Sequence, residues 1–440
     1  MKLWKKWGYA AGDMGISISY FTVSFFLMYY FTEYLKMDPF LAGLAIFIGK
    51  LWDGINDPFI GILSDKTKSK YGKKRVYFLF GAFPFAVSFL LLWFIPPQFS
   101  EFTKFIIATF TLLLYATTYS FVVVPYMAMI PVISKNYNER TQITGFRAIF
   151  SSAATITGGM VAFAISSESN EAIALKYLVI VFAIFTFFSL LIAAASTKGY
   201  ENSEHNKPVV EVKLKEYLKI LTENNTLILM IFKLFGAAAT GCLSASLPYF
   251  AQYILGDKGI SSKGLAIYVI SSALFIYIWN KASYRFNKKN LILLSNIFVF
   301  LILFIIGFFV ETNVLYFYSG CFFLGIFMSS YLILPYSLVP DLVDYCRYKT
   351  GVHHESIFFG VWISTHQLGL AISGIMIGVV LKLSQISSQG SEIIKYNPLG
   401  IKILFGLIPG ILLLTGSLIL QLYKINRNTI EEINNNENNY

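Results

Sequence analysis

The sequence contains few charged residues and very little cysteine. Only 13% of its 440 residues are charged, whereas soluble domains contain about 25%, so a soluble multidomain chain is excluded. Three cysteines are too few for a disulfide framework, and 42 Phe with 28 Tyr exclude a disordered chain. With 56% apolar residues and a mean hydropathy of +0.62, the composition is typical of an integral membrane protein.

Long apolar windows recur along the whole chain, and a bilayer core about 30 Å thick needs about 20 such residues per helix. Twelve windows are present, at 9–34, 40–63, 76–96, 103–130, 141–166, 173–195, 226–253, 262–281, 288–311, 313–338, 355–383 and 400–423. Transmembrane strands would alternate apolar and polar residues over about 10 positions, but runs such as 78–95 are almost continuously apolar. The predicted fold class is an all-α polytopic membrane protein with twelve transmembrane helices.

The net charge of +11 comes from Lys and Arg residues that gather on one side of the predicted helices. If both termini lie in the cytoplasm, the cytoplasmic segments contain 24 of the 35 basic residues and the outer loops contain eight. This excess is the usual pattern of cytoplasmic loops, which face anionic lipid. The charge therefore predicts cytoplasmic N and C termini and contact with membrane lipid, and it does not indicate a nucleic-acid partner.

The predicted helices form two similar groups of six. The longest polar connection follows the sixth helix, and the fourth and tenth helices end in Pro125-Tyr126 and Pro335-Tyr336, 210 residues apart. We expect an N-terminal half at 1–196, a cytoplasmic middle loop at 197–225, a C-terminal half at 226–425 and a disordered cytoplasmic tail at 426–440. In transporters built from such repeats, the substrate binds near the midplane between halves that rock about it.

The second predicted helix contains three ionisable residues, each of which is costly at the centre of a membrane. Lys50, Asp53 and Asp57 share one helix face, and Asn56 is adjacent. Two carboxylates, one ammonium and an amide oxygen leave a formal charge of −1, which suits one Na⁺, Li⁺ or H⁺. Several converging oxygens favour Na⁺ or Li⁺ over a proton. The alternative is an interhelical salt bridge that only fixes packing.

The motif around these residues resembles that of a known family. Trp52-Asp53-Gly54-Ile55-Asn56-Asp57-Pro58, followed by Gly61-x-x-Ser64-Asp65 and Gly72-Lys73-Lys74-Arg75, is similar to the signature of the glycoside-pentoside-hexuronide:cation symporters, the melibiose permease-like family of the major facilitator superfamily. The likeness spans nearly the whole chain. It implies symport of a sugar or sugar acid with Na⁺, H⁺ or Li⁺ by alternating access in a bacterial cytoplasmic (inner) membrane. The protein is expected to be a monomer without a cofactor.

The same resemblance implies a cation site and parts of a substrate site. The implied cation ligands are Asp53, Asn56, Asp57 and Ser120. For the substrate it implies Asp13 and Arg147, whereas the family's acidic residue in the fourth helix and its lysine in the eleventh fall at Val123 and Gln367. Loss of these two groups makes a galactoside site of the family type doubtful.

Other polar and aromatic side chains in apolar helices complete the candidate substrate lining. They are Tyr20, Lys233, Trp362, His366 and Gln367. Arg147 and Lys233 lie about two turns inside a helix end, so either could extend its charge to the membrane surface instead. If both face the cavity, an anionic solute such as a hexuronate fits better than a neutral disaccharide. Trp362 could stack on a sugar ring or contact lipid.

Charged residues at the predicted cytoplasmic ends are candidates for a gate. They are Asp65, Arg75, Arg140, Asp341 and Asp344, whose ion pairs could form in one conformation and separate in the other. Two other functions remain open beside sugar symport. One is a carrier of a lysophospholipid or another amphipathic or anionic solute. The other is a polytopic membrane enzyme, although the loops contain no catalytic constellation.

Overall fold

The computed structural model describes residues 2–134, 137–159, 171–201, 223–310, 313–350, 355–384, 397–425 and 429, and no strand occurs among them. The helices are α1 Leu3–Tyr29, α2 Pro39–Lys66, α3 Arg75–Phe80, α4 Ala82–Leu91, α5 Glu101–Met127, α6 Ile130–Ile133, α7 Tyr137–Gly159, α8 Glu171–Ser196, α9 Asn224–Tyr253, α10 Gly259–Ser283, α11 Lys288–Phe309, α12 Val314–Thr350, α13 Glu355–Leu383, α14 Pro398–Lys402 and α15 Ile408–Leu420. Two π-helical stretches, Tyr30–Tyr34 and Ile403–Leu407, extend α1 and join α14 to α15.

Each of the twelve predicted windows is mainly helical over the residues that the structure describes, so the predicted fold class is confirmed. Among the described residues, nine helical segments are long and apolar enough to cross a membrane. The other three windows correspond to α2, to α3 with α4, and to α7. The helix α2 contains the charged residues Lys50, Asp53 and Asp57. The helix α7 ends at residue 159, the last residue that the structure describes before residue 171. The protein is therefore an integral membrane protein.

The third window is not the single uninterrupted helix that the sequence predicts. The helical pattern is interrupted at Gly81, between α3 and α4. Pro84 lies in the first turn of α4, where its missing N–H leaves the carbonyl of Phe80 without the usual donor. The first turn of a helix tolerates proline, so the chain restarts as α4.

Local signals account for several helix starts. Asp38 precedes α2 and its Oδ1 accepts hydrogen bonds from the backbone N–H groups of Phe40 (3.0 Å) and Leu41 (3.2 Å). Ser100 caps α5 in the same way, and Asn287 caps α11. Such caps satisfy N–H groups that have no partner inside the helix.

The described structure separates into two compact units. Unit 1 comprises 1–210, 244–263 and 374–398; unit 2 comprises 211–243, 264–373 and 399–440. The end of α9, the start of α10 and the end of α13 thus belong to unit 1.

In unit 1, α1 packs against α7 and α8, and α2 packs against α5. Small residues allow α1 to approach α8 closely, because a Cβ on Gly15 would lie 2.8 Å from the Cα of Thr186 in α8. The end of α13 approaches α2 equally closely: a Cβ on Gly43 would fall on the carbonyl oxygen of Gly374. The core of unit 1 therefore depends on backbone-to-backbone contact.

In unit 2, α11 packs against α12 and α15. Buried hydroxyls connect the first pair, since Ser295 and Ser330 form a hydrogen bond inside the core. Mid-helix side chains on the outer faces are large and apolar, for example Leu274 (66% exposed) and Ile305 (52% exposed). Such faces are suited to lipid.

Candidate functional site

The centre of α2 carries the predicted charge cluster. Asp53 is 2% exposed. Its Oδ2 lies 3.3 Å from Nζ of Lys50, one turn earlier on the same helix, and its Oδ1 accepts a hydrogen bond of 3.3 Å from Ser120 of α5. The packing of α2 on α5 brings the hydroxyl to the carboxylate. Asp53 is thus held by one charged donor and one neutral donor.

The two other polar residues of the cluster are Asp57 and Asn56. Asp57, one turn beyond Asp53, is half-buried, and it is close enough to Asp53 and Lys50 to interact with both electrostatically. Asn56 is buried, and its Nδ2 has no hydrogen-bond partner among the described residues. With Lys50 paired to Asp53, the second carboxylate gives the cluster an uncompensated charge of −1. This donor set can accept one monovalent cation.

Tyr20 of α1 closes one side of the cluster. It is half-buried, its ring centroid lies 5.1 Å from Nζ of Lys50, and it stacks on Tyr119 of α5 at 5.8 Å. Tyr20 thus lies within cation–π distance of Lys50, beside the predicted cation ligands. The sequence predicts Tyr20 as part of the substrate lining. In unit 1, Tyr20 therefore lies between that predicted lining and the charge cluster of α2.

A second buried group of unit 1 is an ion pair between α1 and α7. Nε of Arg147 lies 3.0 Å from Oδ2 of Asp13, and NH2 donates a hydrogen bond of 3.3 Å to Oδ1. Both side chains are less than 10% exposed. Two of the predicted substrate ligands therefore neutralise each other in this structure. Arg147 is buried, so it does not extend to the membrane surface.

Two tyrosines support this pair. Tyr9 and Tyr126 stack at 4.6 Å, and each hydroxyl donates a hydrogen bond to the backbone carbonyl of the other residue, at 2.6 and 2.7 Å. The ring of Tyr126 lies 5.1 Å from the guanidinium of Arg147, within cation–π range. Sequence reasoning identified Pro125-Tyr126 only as a repeat marker. Its contact depends on α1, more than 100 residues away in the sequence.

Unit 2 contains the remaining predicted substrate residues, three of which lie on α13. Trp362 is 1% exposed, which shows that it does not face lipid, and Gln367 is 7% exposed. His366 is half-buried. Oε1 of Gln367 and Nε1 of Trp362 have no hydrogen-bond partner among the described residues.

Lys233 of α9 is also buried in unit 2, at 3% exposure. Its Nζ lies 4.7 Å from the ring centroid of Trp362, 5.2 Å from that of Tyr336 and 5.6 Å from that of Tyr331. The lysine is therefore enclosed by aromatic rings and does not extend to the surface. The sequence could not decide this, because α9 is apolar on nearly all sides.

The predicted gate residues are found at helix ends. Arg75, at the start of α3, donates to the carbonyl of Ala194, and its backbone N–H donates to Glu201, all within unit 1. Asp341 of α12 pairs with Lys288 at 2.7 Å within unit 2, and Asp344 is half-buried on the same helix. The side chains of Asp65 and Arg140 lie outside the described residues, as do most of the middle loop and the tail.

Comparison with known proteins identifies the family of this chain. A family described as "MFS/sugar transport protein" matches residues 8–427. The chain belongs to this family. The match includes the charge cluster of α2, the Asp13–Arg147 pair and the residues around Lys233.

Individual relatives are similar over nearly their whole length. The putative glycoside/cation symporter YagG of Escherichia coli is 24% identical, with 97% of this chain and 93% of the relative aligned. The sodium-dependent lysophosphatidylcholine symporter 1 of Gallus gallus is 25% identical, covering 95% of this chain and 85% of the relative. The crystal structure of the nucleoside transporter NupG shares the fold, with a TM-score of 0.67 and 14% identity over 95% of this chain and 99% of that one. The chain is thus a membrane symporter of the major facilitator type.

Proposed function

We propose that this symporter carries a sugar or sugar acid together with a monovalent cation by alternating access. The observation that carries the proposal is the cluster of Lys50, Asp53, Asp57 and Ser120, which holds an uncompensated −1 charge inside a membrane helix. Intramembrane carboxylates are costly and usually functional. The family description and the name of the E. coli relative support a sugar as the cargo.

We propose Na⁺ as the coupling ion, with Li⁺ or H⁺ as substitutes. A proton needs a single carboxylate, whereas a metal ion needs several oxygens. The cluster offers the carboxylates of Asp53 and Asp57, the amide of Asn56 and the hydroxyl of Ser120. These four residues are the proposed cation ligands.

The proposed substrate lining and gate follow the same reasoning. Tyr20, Trp362, His366 and Gln367 would contact the solute, and the Asp13–Arg147 pair would open towards it or support the lining. The charges proposed for the inner gate are Asp65, Arg75, Arg140, Asp341 and Asp344, which would exchange partners as the halves 1–196 and 226–425 rock. In this proposal the protein lies in a bacterial inner membrane with both termini on the cytoplasmic side, and the excess of basic residues in the predicted cytoplasmic loops supports that orientation.

Uptake into proteoliposomes tests the function. The purified chain is reconstituted and offered a panel of radiolabelled glycosides, uronides and lysophosphatidylcholine, with an inward gradient of Na⁺, Li⁺ or H⁺ or with none. We expect gradient-driven accumulation of a sugar or a uronide, which is lost in Asp53→Asn. Accumulation of the lysolipid alone would show that the cargo is an amphipathic solute and not a sugar. Accumulation that no cation gradient alters would refute coupling.

A further inference from the structure

The surroundings of Lys233 lack the acceptor that a buried ammonium needs. Among the described residues, no carboxylate pairs with it, and its recorded neighbours are the rings of Tyr331, Tyr336 and Trp362. The hydroxyl of Tyr331 and the indole N–H of Trp362 are likewise buried without a hydrogen-bond partner in the described structure. The ammonium of Lys233 therefore lies within 6 Å of two rings, those of Tyr331 and Trp362, whose polar groups have no hydrogen-bond partner among the described residues.

The repeat that the sequence predicts relates these residues to positions in unit 1. Tyr126 corresponds to Tyr336 at an offset of 210 residues, and Arg147 corresponds to Trp362 at an offset of 215, the same offset that relates Gly145 to Gly360. Asp13 is the eleventh residue of α1, and Lys233 is the tenth residue of α9.

The charges of the two arrangements differ. In unit 1 the residue on the first helix is a carboxylate, and an arginine neutralises it at 3.0 Å. In unit 2 the residue on the first helix is an ammonium, and the facing position holds an indole, which carries no charge. In unit 1, Arg147 neutralises Asp13. Among the described residues of unit 2, no carboxylate neutralises Lys233 in the same way.

We propose that Lys233, Tyr331 and Trp362 form a subsite for the carboxylate of an anionic sugar, so that the cargo is a uronide rather than a neutral glycoside. A carboxylate only accepts hydrogen bonds, which matches three unpaired donors, and its charge supplies the missing partner of the lysine. Tyr336 is 51% exposed beside Trp362, and its ring offers a flat face to the apolar side of a pyranose. The subsite rests on the proposed function, because it assigns the substrate class of the same transporter.

Two probes that differ only in the carboxylate test the subsite: radiolabelled methyl β-D-glucuronide and methyl β-D-glucoside. Binding is measured on the detergent-solubilised full chain, and uptake is measured in proteoliposomes with a Na⁺ gradient. We expect the wild type to bind the uronide at least tenfold more tightly than the glucoside. Lys233→Gln should lower uronide affinity at least tenfold, and Lys233→Arg should retain most of it.

Further variants separate a binding role from a packing role. Trp362→Phe and Tyr331→Phe keep an aromatic ring and remove one donor each, so each should weaken uronide binding about threefold or more and weaken glucoside binding less. The matched control is Lys281→Gln, an exposed lysine at the end of α10, which should behave as the wild type. Monodisperse elution of each variant shows that it folds.

The inference and the proposed function can fail separately. Uronide binding that depends on Lys233, in a wild type that accumulates nothing under any cation gradient, supports the subsite and refutes symport. Cation-driven uronide accumulation that Lys233→Gln leaves intact supports symport and overturns the subsite. Absence of uronide binding in the wild type, or binding by monodisperse Lys233→Gln within twofold of the wild type, also overturns the subsite.

Discussion

The ion pair between Asp13 and Arg147 allows a quantitative test of how unit 1 is held together. We expect that removing either charge alone, in Asp13→Asn or Arg147→Gln, destabilises the protein, and that combining both changes restores most of the stability. Each single change leaves an uncompensated charge that is less than 10% exposed. The double change leaves two amides that can form a hydrogen bond with each other.

The size of the effect follows from the geometry. At 3.0 Å and an effective dielectric constant of about 20, the attraction is about 5.5 kcal/mol, most of which offsets the cost of removing both groups from water. Breaking a buried pair from one side costs about 3–5 kcal/mol. With an unfolding entropy of about 2.1 cal/mol/K per residue, the melting temperature of each single variant should fall by about 4 °C.

The assay is thermal unfolding of the wild type, both single variants and the double variant in the same detergent. A coupling free energy of about 3 kcal/mol is expected from the cycle. Single variants as stable as the wild type, or a double variant no more stable than the single variants, would refute the reasoning. Uptake by the stable double variant then distinguishes the roles: recovery assigns the pair to packing, and continued loss assigns it to substrate recognition.

Three further changes test the cation site and the packing of α2. Asp57→Asn should abolish cation-stimulated uptake while the protein remains monodisperse, because Asp57 supplies the charge that no lysine compensates. Ser120→Ala should raise the half-saturating cation concentration about tenfold in uptake assays, which corresponds to about 1.4 kcal/mol, since it removes one of the proposed oxygen ligands and leaves both carboxylates in place. Gly43→Ala should lower the melting temperature and the uptake rate, because its Cβ would meet the backbone of Gly374 at a cost of about 1–3 kcal/mol.

Each of these outcomes has a clear contrary result. Undiminished gradient-driven accumulation in Asp57→Asn would remove that residue from the cation site, and an unchanged cation dependence in Ser120→Ala would remove the hydroxyl. For the glycine, the matched control is Gly145→Ala, whose Cβ would have no neighbour within 4 Å. The same loss in both glycine variants would mean that close packing of α2 is not the cause.

The sequence predicted the helices and the charge cluster because both depend on local spacing. Apolar windows of about 20 residues define a membrane helix regardless of its neighbours. The contact between Lys50 and Asp53 follows from their separation by three residues on one helix, and the structure confirms it at 3.3 Å. The interruption at Gly81 was missed because the apolar content continues through it.

Contacts between distant helices could not be predicted in the same way. Asp13 and Arg147 were each identified as separate substrate groups, but their pairing requires α1 to pack on α7. The burial of Lys233 depends on rings from α12 and α13. Because α9 has no polar face, its hydrophobic pattern could not show which way the lysine points.

The charges of the buried groups lead to a last prediction, about the membrane potential. The α2 cluster carries −1, the Asp13–Arg147 pair carries 0 and Lys233 carries +1, so one Na⁺ and one uronide neutralise both open charges. Their joint transport moves no net charge, and a valinomycin-induced potassium potential of 100 mV should leave uronide accumulation unchanged. A neutral glycoside carried with one Na⁺ would gain about 2.3 kcal/mol per 100 mV, which is about a 50-fold rise in accumulation. A rise of that size for the uronide would contradict one-to-one neutral coupling, because a second cation would then have to accompany it.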